Sequence, residues 1–350
     1  MSQFRSLVIL VLACLTCFIP QSARAGEGRL VSSTVRSAAL EGNLLGDPAD
    51  RSVIVYLPPS YDSTPTKRYP VVYLLHGNNQ RNTVWTDGRF QGLNVKTVMD
   101  TSVAAGTIRE MILVMPDVNN RYIGSHYANS AVTGRWADFI TQDLVAHIDR
   151  AYRTVKAPDS RGLAGHSMGG RGTFYLAMKY PGVYGAIYGL SSGRMAFEQF
   201  EPFDKATWSQ VLALRDANVD RKFFGPVGFS TAFSPNPNRP PLLVDFPFEL
   251  VDGAPKRVDS VWQKWLAHDP VALLASHQAS LRQLRAIQFD CGTSDQIVDL
   301  FAANRLFTEA LTKAGISHRF EEYDGDHNSR IGERVATKVL PFFSSVLAFE

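Results

Sequence analysis

A strand, a sharp turn and a helix meet at one serine in the middle of this chain. The apolar run 161–164 leads into Gly165-His166-Ser167-Met168-Gly169-Gly170, and a helix-like run, residues 171–179, follows it. A serine at such a tip takes positive or strained backbone angles, and glycines two residues to either side let the strand and the helix approach closely. Its hydroxyl is then exposed at the start of a helix, whose amides and dipole favour developing negative charge. Ser167 is therefore a candidate nucleophile, the alternative being a glycine-rich turn with an incidental serine.

Short apolar, β-branched runs alternate with helix-like segments along most of the chain. This alternation is typical of a mostly parallel sheet covered by helices on both faces, so we predict an α/β fold. The strands are predicted at residues 53–57, 70–75, 111–115, 162–165, 185–190, 286–290 and 319–323, and the helices at residues 93–105, 136–152, 169–179, 302–314 and 334–348.

Residues 192–284 break this alternation. They separate two predicted strands by roughly 90 residues, far more than a usual crossover needs. The segment is rich in phenylalanine, has an irregular stretch at 234–241, and contains predicted helices at 206–217, 258–267 and 270–284. It is either a satellite core that packs its own aromatics or a cap-like insertion over Ser167, because sheets of this class bind ligands at the carboxyl ends of their strands.

A serine nucleophile needs a histidine base and a carboxylate that orients this base. His327 lies in a polar turn between the last predicted strand and the last helix, where a loop can bring the imidazole over the edge of the sheet. Asp295 lies on a glycine-containing turn after the preceding strand and is the predicted acid, with Asp290 at the strand end and Asp299 as the other candidates. The chain order Ser167, Asp295, His327 is the order found in α/β-hydrolases.

Two backbone amides are needed to stabilise the oxyanion of an acyl-transfer intermediate. Met168 follows the serine at the start of a helix and is predicted to supply one of them. Residues 74–79 end an early strand in a turn of small residues, Leu74-Leu75-His76-Gly77-Asn78-Asn79. The amide of Asn78 or of Asn79 is therefore predicted to be the second donor.

Residues 1–25 have the pattern of an export signal. Arg5 precedes the apolar stretch 7–19, and Ala23-Arg24-Ala25 forms a cleavage site before Gly26. The apolar stretch is shorter than the roughly 20 residues that a membrane-spanning helix needs. We therefore expect a secreted or periplasmic protein that begins near Gly26, without stable membrane insertion.

Charge and composition limit the partners and the number of domains. The chain has 36 basic and 33 acidic residues, and loss of residues 1–25 removes two basic residues and no acidic one. A nearly neutral surface offers no electrostatic footprint for nucleic acid. With 45% hydrophobic residues, residues 26–350 can bury a large core as one elaborated domain. Cys291 would be the only cysteine of the shortened chain, which excludes an internal disulfide.

The ordered set of motifs from about residue 51 to residue 343 resembles the putative esterase family of α/β-hydrolases. This family contains S-formylglutathione hydrolases, feruloyl esterases, enterochelin esterases and mycolyltransferases. Besides the serine turn, the resemblance is carried by residues 55–61 and 69–77, Trp85, Met115-Pro116-Asp117, Asp138, Asp143-Leu144, Tyr152-Arg153-Thr154, Cys291-Gly292 and Asp326-His327.

The resemblance implies an α/β-hydrolase fold in which Ser167, Asp295 and His327 form a catalytic triad. Chemistry by such a triad needs no metal and no organic cofactor. Members of the family often have a glycine soon after His-Gly, whereas this chain has Asn78-Asn79-Gln80. The departure leaves both asparagines open as oxyanion donors.

Five residues are candidates for substrate contact. Trp85 and Asp138 are expected near the pocket wall of the fold, with packing or bracing as the equal alternative. Asn129 lies in a polar stretch that follows a strand end, where it either contacts the substrate or belongs to a surface loop. Phe223 and Phe229 of the insertion would suit an apolar or aromatic substrate group.

These features together predict a secreted serine carboxylic ester hydrolase that forms an acyl-enzyme on Ser167. An acyltransferase of the mycolyltransferase type, which passes the acyl group to an alcohol, is the first alternative. A non-catalytic binding protein on the same fold is the second. The expected partner is a small-molecule or polymer-linked ester, and the export signal argues against a cytosolic S-formylglutathione hydrolase.

Overall fold

An eight-stranded sheet runs through the middle of the structure, a computed structural model that describes residues 26–350. The strands lie in the order β1-β2-β4-β3-β5-β6-β7-β8. The first two pairings are antiparallel and the remaining five are parallel. The strands are β1 (Arg29–Arg36), β2 (Asp50–Leu57), β3 (Val71–Leu75), β4 (Ile112–Pro116), β5 (Arg161–His166), β6 (Ala186–Leu190), β7 (Ala286–Gly292) and β8 (Arg319–Tyr323).

Within residues 26–350, nine helices other than the short 3-10 turns flank or follow this sheet. Both α2 and α9 contain a turn of π-helix, at Phe139–Asp143 and Val335–Val339 respectively. The segments are α1 (Val95–Ala104), α2 (Trp136–Asp138 to Leu144–Ala151), α3 (Met168–Lys179), α4 (Lys205–Leu212), α5 (Phe224–Phe233), α6 (Asp259–Leu266), α7 (Pro270–Arg282), α8 (Leu300–Lys313) and α9 (Ile331–Arg334 to Leu340–Val346).

Successive side chains of a strand point to opposite faces, so the buried central strands supply two cores. In β3, Val71, Tyr73 and Leu75 belong to one apolar cluster, and Val72 and Leu74 belong to the other. The first cluster also contains side chains from α2, α3, α7 and α8, and the second contains side chains from α1 and α9. The predicted sheet with helices on both faces is confirmed.

The structure adds elements that the sequence patterns did not indicate. The strand β1 pairs with β2 at the antiparallel edge of the sheet, and α5 is a helix inside the segment 192–284. The same segment contains a hairpin formed by Phe248–Val251 and Ala254–Arg257. A short two-stranded sheet, Asn129–Ser130 with Gly134–Arg135, lies just before α2.

The segment 192–284 divides between two cores. Aromatic side chains from Phe197 to Trp265 form a third cluster, which we call the insertion core. The helix α7, although also within the segment, packs against α3 and contributes Leu273, Leu274 and Leu281 to a core of the main sheet. The separately packed part therefore ends before α7.

The predicted export signal, residues 1–25, lies outside the described residues. Over residues 26–350, none of the helices combines the length and the apolar character required to cross a membrane.

Candidate active site

Ser167 occupies a strained turn between β5 and α3. Its backbone has φ 55° and ψ −116°, which a residue with a side chain rarely adopts. The turn is tight because a Cβ on Gly165 would lie 2.3 Å from the carbonyl carbon of Gly169, and a Cβ on Gly169 would lie 2.2 Å from the backbone oxygen of Leu75. Only glycine fits at these two positions. The packing of strand against helix therefore holds Ser167 at the tip of the turn.

The side chains of Ser167, His327 and Asp295 form a continuous hydrogen-bonded chain. His327 Nδ1 lies 2.7 Å from Asp295 Oδ2, and His327 Nε2 lies 2.8 Å from Ser167 Oγ. Because a carboxylate only accepts, Nδ1 carries the ring proton and Nε2 accepts the hydrogen bond of the serine hydroxyl. The Asp295 carboxylate is fully buried. This arrangement can remove a proton from Ser167.

The loops that follow β7 and β8 hold Asp295 and His327 at this distance. The amide of Thr293 donates to Tyr323 O at 2.9 Å, and the amide of Ser294 donates to Gly325 O at 3.0 Å, so the strand pairing continues into the loops. A Cβ on Gly292 would lie 2.2 Å from Gly325 O. The close approach of the two loops therefore depends on glycine.

Asp290 and Asp299, the two other acid candidates, have different surroundings. Asp290 Oδ2 accepts hydrogen bonds from Tyr188 at 2.7 Å and pairs with Arg334 at 2.8 Å. Burial raises the pKa of Asp290 to about 6, and Arg334 opposes that shift. Asp299 precedes α8 in a left-handed backbone conformation and is exposed. Of the three aspartates, it is Asp295 that contacts His327.

His166 adds a contact that the sequence patterns did not indicate. Its Nε2 donates to the backbone oxygen of His327 at 2.9 Å, and the two imidazole rings lie 4.8 Å apart. Burial lowers the pKa of His166 to about 3, with a smaller contribution from His327, so the ring is neutral. In sequence, His166 is the variable position of a Gly-x-Ser-x-Gly motif, and no local pattern indicates its partner.

Two backbone amides near Ser167, those of Met168 and Asn78, are candidate donors to an oxyanion. Met168 is the first residue of α3, and the amides of a first helical turn have no partner within the helix. The amide of Asn79 donates to Ile123 O at 2.7 Å and is therefore occupied. Asn78 remains as the second candidate donor. It follows Gly77, where an added Cβ would lie 3.2 Å from Ser167 Cβ.

His76 braces this turn. The amide of Val118 donates to His76 Nε2 at 2.9 Å, so Nδ1 carries the proton and donates to Gly77 O at 2.8 Å. Tyr127 OH donates to the backbone oxygen of His76 at 2.8 Å. The turn before Asn78 is therefore held by buried side chains.

The sequence profile described as Putative esterase matches residues 48–331. The match covers most of the chain, including Ser167, Asp295 and His327. The chain belongs to this esterase family.

Curated relatives and solved structures agree with that assignment. Esterase Rv1288 of Mycobacterium tuberculosis is 28% identical over 277 residues, which are 79% of this chain and 52% of that protein. The chain thus spans about half the length of the curated relatives it matches first. A ferulic acid esterase structure has a TM-score of 0.63 at 23% identity and covers 92% of this chain and 99% of its own.

A third neighbour is FphF, a fluorophosphonate-binding serine hydrolase of Staphylococcus aureus. Its TM-score is 0.61 at 18% identity, and the likeness covers 91% of this chain and all of that protein. At these identities the likeness concerns the fold. The predicted α/β-hydrolase fold is confirmed.

Two predicted pocket residues, Asn129 and Asp138, lie far from Ser167. Asn129 Nδ2 donates to Asp138 Oδ1 at 2.8 Å, and Tyr180 OH donates to the same oxygen at 3.0 Å. Tyr180 follows the last residue of α3, which has 12 residues and is therefore about 18 Å long. Ser167 lies at the other end of α3. This placement favours the bracing interpretation of Asn129 and Asp138.

The three predicted aromatic pocket residues are buried. Trp85 is fully buried beside Phe90 in the core formed with α1 and α9. Phe223 and Phe229 belong to the insertion core, where Phe229 stacks on Trp265 at a ring distance of 5.7 Å. These contacts favour packing as the role of all three aromatic side chains.

The insertion nevertheless reaches the turn that contains Asn78. Arg221 donates from its guanidinium to Asn79 Oδ1 at 2.6 Å. Arg121, which follows β4, donates to Ala217 O of the insertion at 3.0 Å. The insertion therefore contacts the turn that holds the candidate oxyanion site.

Proposed function

We propose that this chain is a serine carboxylic ester hydrolase with Ser167 as nucleophile, His327 as base and Asp295 as the acid that orients His327. The hydrogen-bonded chain from Ser167 Oγ through His327 to Asp295 carries this proposal. Membership of the esterase family supports the choice of an ester as substrate.

In the first half of the reaction, Ser167 Oγ attacks the ester carbonyl while its proton moves to His327 Nε2. Asp295 accepts the hydrogen bond of Nδ1 and stabilises the imidazolium. The amides of Met168 and Asn78 bind the oxyanion. The tetrahedral intermediate collapses, the bond to the alcohol breaks, and His327 protonates the leaving alkoxide.

In the second half, His327 takes a proton from water, and the hydroxide attacks the acyl-enzyme carbonyl. The same amides bind the second oxyanion. Collapse breaks the bond to Ser167 Oγ, which receives the proton from His327, and releases the carboxylic acid. The reaction consumes one water and leaves the enzyme unchanged.

The insertion is proposed to act as a cap that borders the substrate pocket. Its Arg221 bonds to the residue after Asn78, the proposed oxyanion donor. We also propose that residues 1–25 direct export and are removed. Mass analysis of the protein recovered outside the cytoplasm should then give an N-terminus at Gly26, and cytoplasmic retention with Met1 in place would contradict it.

Hydrolysis of 4-nitrophenyl esters from acetate to long acyl chains, and of methyl ferulate, tests the proposed function. Ser167→Ala is expected to lower kcat by at least about 10⁴-fold, because the nucleophile is lost. Ser345→Ala is the matched control, since Ser345 is exposed on α9. A fluorophosphonate should label Ser167 in the wild-type protein and not in Ser167→Ala.

Two other outcomes would change the assignment. If a folded protein with an intact Ser167 neither hydrolyses any of these esters nor reacts with the fluorophosphonate, the chain is a binding protein. If added alcohols give mainly a transferred ester rather than the acid, the acyltransferase is favoured. Product analysis with and without an alcohol acceptor distinguishes these cases.

A further inference from the structure

Arg194 lies beside the serine turn, at the carboxyl end of β6. It follows Gly193, whose amide donates to Ser167 O at 2.9 Å. A Cβ on Gly193 would lie 3.2 Å from the carbonyl carbon of Ser167. The strand β6 is the neighbour of β5 in the sheet, so the loops after both strands meet at the same edge.

The guanidinium of Arg194 has no hydrogen bond and no ion pair among residues 26–350, although the residue is partly buried. Its closest aromatic contact is Phe203, whose ring centroid lies 5.8 Å away. The acids that face it are Asp295 and Asp299, and neither comes within ion-pair distance. Burial lowers the pKa of Arg194, which remains charged at neutral pH.

The arginines that are buried within the described residues have partners. Arg171 donates to the backbone oxygens of His126 and His268, and Arg334 pairs with Asp290. Arg194 differs from them, because it is half-buried, its guanidinium nitrogens are not enclosed by protein, and none of residues 26–350 pairs with it. The unpaired guanidinium of Arg194 is therefore available to an anionic ligand.

A cleft of about 380 Å³ opens beside Arg194. Phe203 and Val298 form apolar walls, and Val298 follows Asp295 by three residues and is 72% exposed. Two acids, Glu201 and Asp204, and a second cation, Lys205, also line the cleft. Asp204 uses its carboxylate to accept from the amide of Thr207 at 2.6 Å at the start of α4, whereas burial raises the pKa of Glu201.

We propose that Arg194 is a specificity residue that binds a carboxylate on the ester substrate while Ser167 attacks the ester carbonyl. The inference rests on the proposed function and adds the substrate class, an ester with a second, ionised acid group. The apolar walls would contact the carbon chain between the ester and this carboxylate. The carboxylate belongs either to the acyl part or to the alcohol part of the ester.

Two matched pairs of esters distinguish a carboxylate on the acyl part from one on the alcohol part. For the acyl side, 4-nitrophenyl hydrogen adipate is compared with its methyl ester. For the alcohol side, 4-acetoxybenzoate is compared with methyl 4-acetoxybenzoate. After subtraction of spontaneous hydrolysis, kcat/KM of the wild-type enzyme should favour the acid about tenfold or more in one pair, mainly through KM, because bonds to charged groups are strong. This preference should fall as KCl is added.

Variants assign the preference to Arg194. In Arg194→Gln the ratio of kcat/KM between acid and neutral ester should fall towards one, and Arg194→Lys should retain part of it. Arg215→Gln is the matched control, because Arg215 is an exposed arginine of the insertion that lines another cleft, and it should keep the wild-type ratio.

The outcomes separate this inference from the proposed function. Turnover of neutral esters by the wild-type enzyme without preference for either acid would overturn the role of Arg194 and leave the esterase intact. Absence of turnover with every ester would instead contradict the proposed function. If Arg194→Gln does not fold, the wild-type ratio of kcat/KM between acid and neutral ester, and its dependence on KCl, still test the inference. A preference for the acid that is insensitive to salt would also contradict the role of Arg194.

Discussion

His166 connects the serine turn to the loop of the proposed base. Its side chain donates to the backbone oxygen of His327, and its ring lies 5.0 Å from Phe90 in an edge-to-face arrangement. A base that must stay within hydrogen-bond reach of Ser167 depends on such support, because small displacements reduce catalysis strongly. We therefore regard His166 as a positioning residue.

Substitution of His166 tests this role. His166→Phe keeps a planar ring but removes the donor, so His327 should be held less firmly, and kcat for 4-nitrophenyl acetate should fall about 10-fold or more with little change in KM. His166→Gln can still donate and should recover part of the loss. An unchanged kcat in a folded His166→Phe protein would show that the contact does not position His327.

The neighbouring strands β7 and β8 position Asp295 and His327, the proposed acid and base. Each strand ends in a loop, and the backbone bonds between the loops place Asp295 against His327. Gly292 allows this approach, since a Cβ on it would lie 2.2 Å from Gly325 O in the loop after β8. Separation of the two loops would therefore lengthen the distance between acid and base.

Gly292→Ala should separate the loops that follow β7 and β8. The added Cβ would meet Gly325 O at 2.2 Å, so the backbone must shift. We expect kcat to fall about 10- to 100-fold and the free energy of unfolding to fall by about 1–3 kcal/mol. Gly225→Ala is the control, because its nearest neighbour is the movable ring of Phe203 at 3.0 Å. Steady-state kinetics and urea unfolding of both variants measure the difference.

The central elements could be predicted from the sequence because each one carries a strong local signal. Continuous apolar runs mark β3 and β4, and Asp295 and His327 each lie in a polar, glycine-containing turn after a predicted strand. Contacts between distant segments leave no such signal. Asn129 and Asp138 form a hydrogen-bonded pair at the far end of α3, and their polar character alone cannot distinguish bracing from substrate contact.

The elements that were missed have weak or contradictory patterns. The helix α5 contains Gly225, Pro226 and Gly228, which oppose helix formation in isolation, yet its side chains are buried in the insertion core. Tertiary burial therefore overrides local propensity there. The edge strand β1, RLVSSTVR, is mostly polar and gains its partner only from β2.

At the scale of the whole molecule, the insertion core and the main cores meet around buried Arg171. This residue of α3 donates to the backbone oxygens of His126 and His268, and its guanidinium lies 4.9 Å from the ring of Phe233 in the insertion core. The ring of His268 stacks on Phe233 at a centroid distance of 4.5 Å and lies 5.2 Å from the ring of Tyr175 in a tilted arrangement. The junction therefore places neutral imidazoles next to a permanent positive charge.

This junction should make stability depend on pH. Burial lowers the pKa of His268 to about 3, with further lowering by Arg171 and Lys179, and also lowers the pKa of His126 well below its usual value. Above the ordinary pKa of about 6.5, folded and unfolded chains both hold His268 neutral. Below it the unfolded chain binds a proton and the folded chain does not, down to about pH 3, so stability is lost as pH falls.

A comparison of His268→Phe with the wild type isolates this effect. Between pH 6.5 and pH 5, His268 alone should lower the free energy of unfolding by about 2 kcal/mol. Neighbouring Asp269, whose pKa burial raises to about 6, titrates in the same range with the opposite sign in both proteins. The phenylalanine keeps the stacking ring and removes the proton site, so urea unfolding of His268→Phe should lose less stability over that interval. Parallel pH dependences of the two proteins would mean that His268 is protonated in the folded chain and that the junction accommodates its charge.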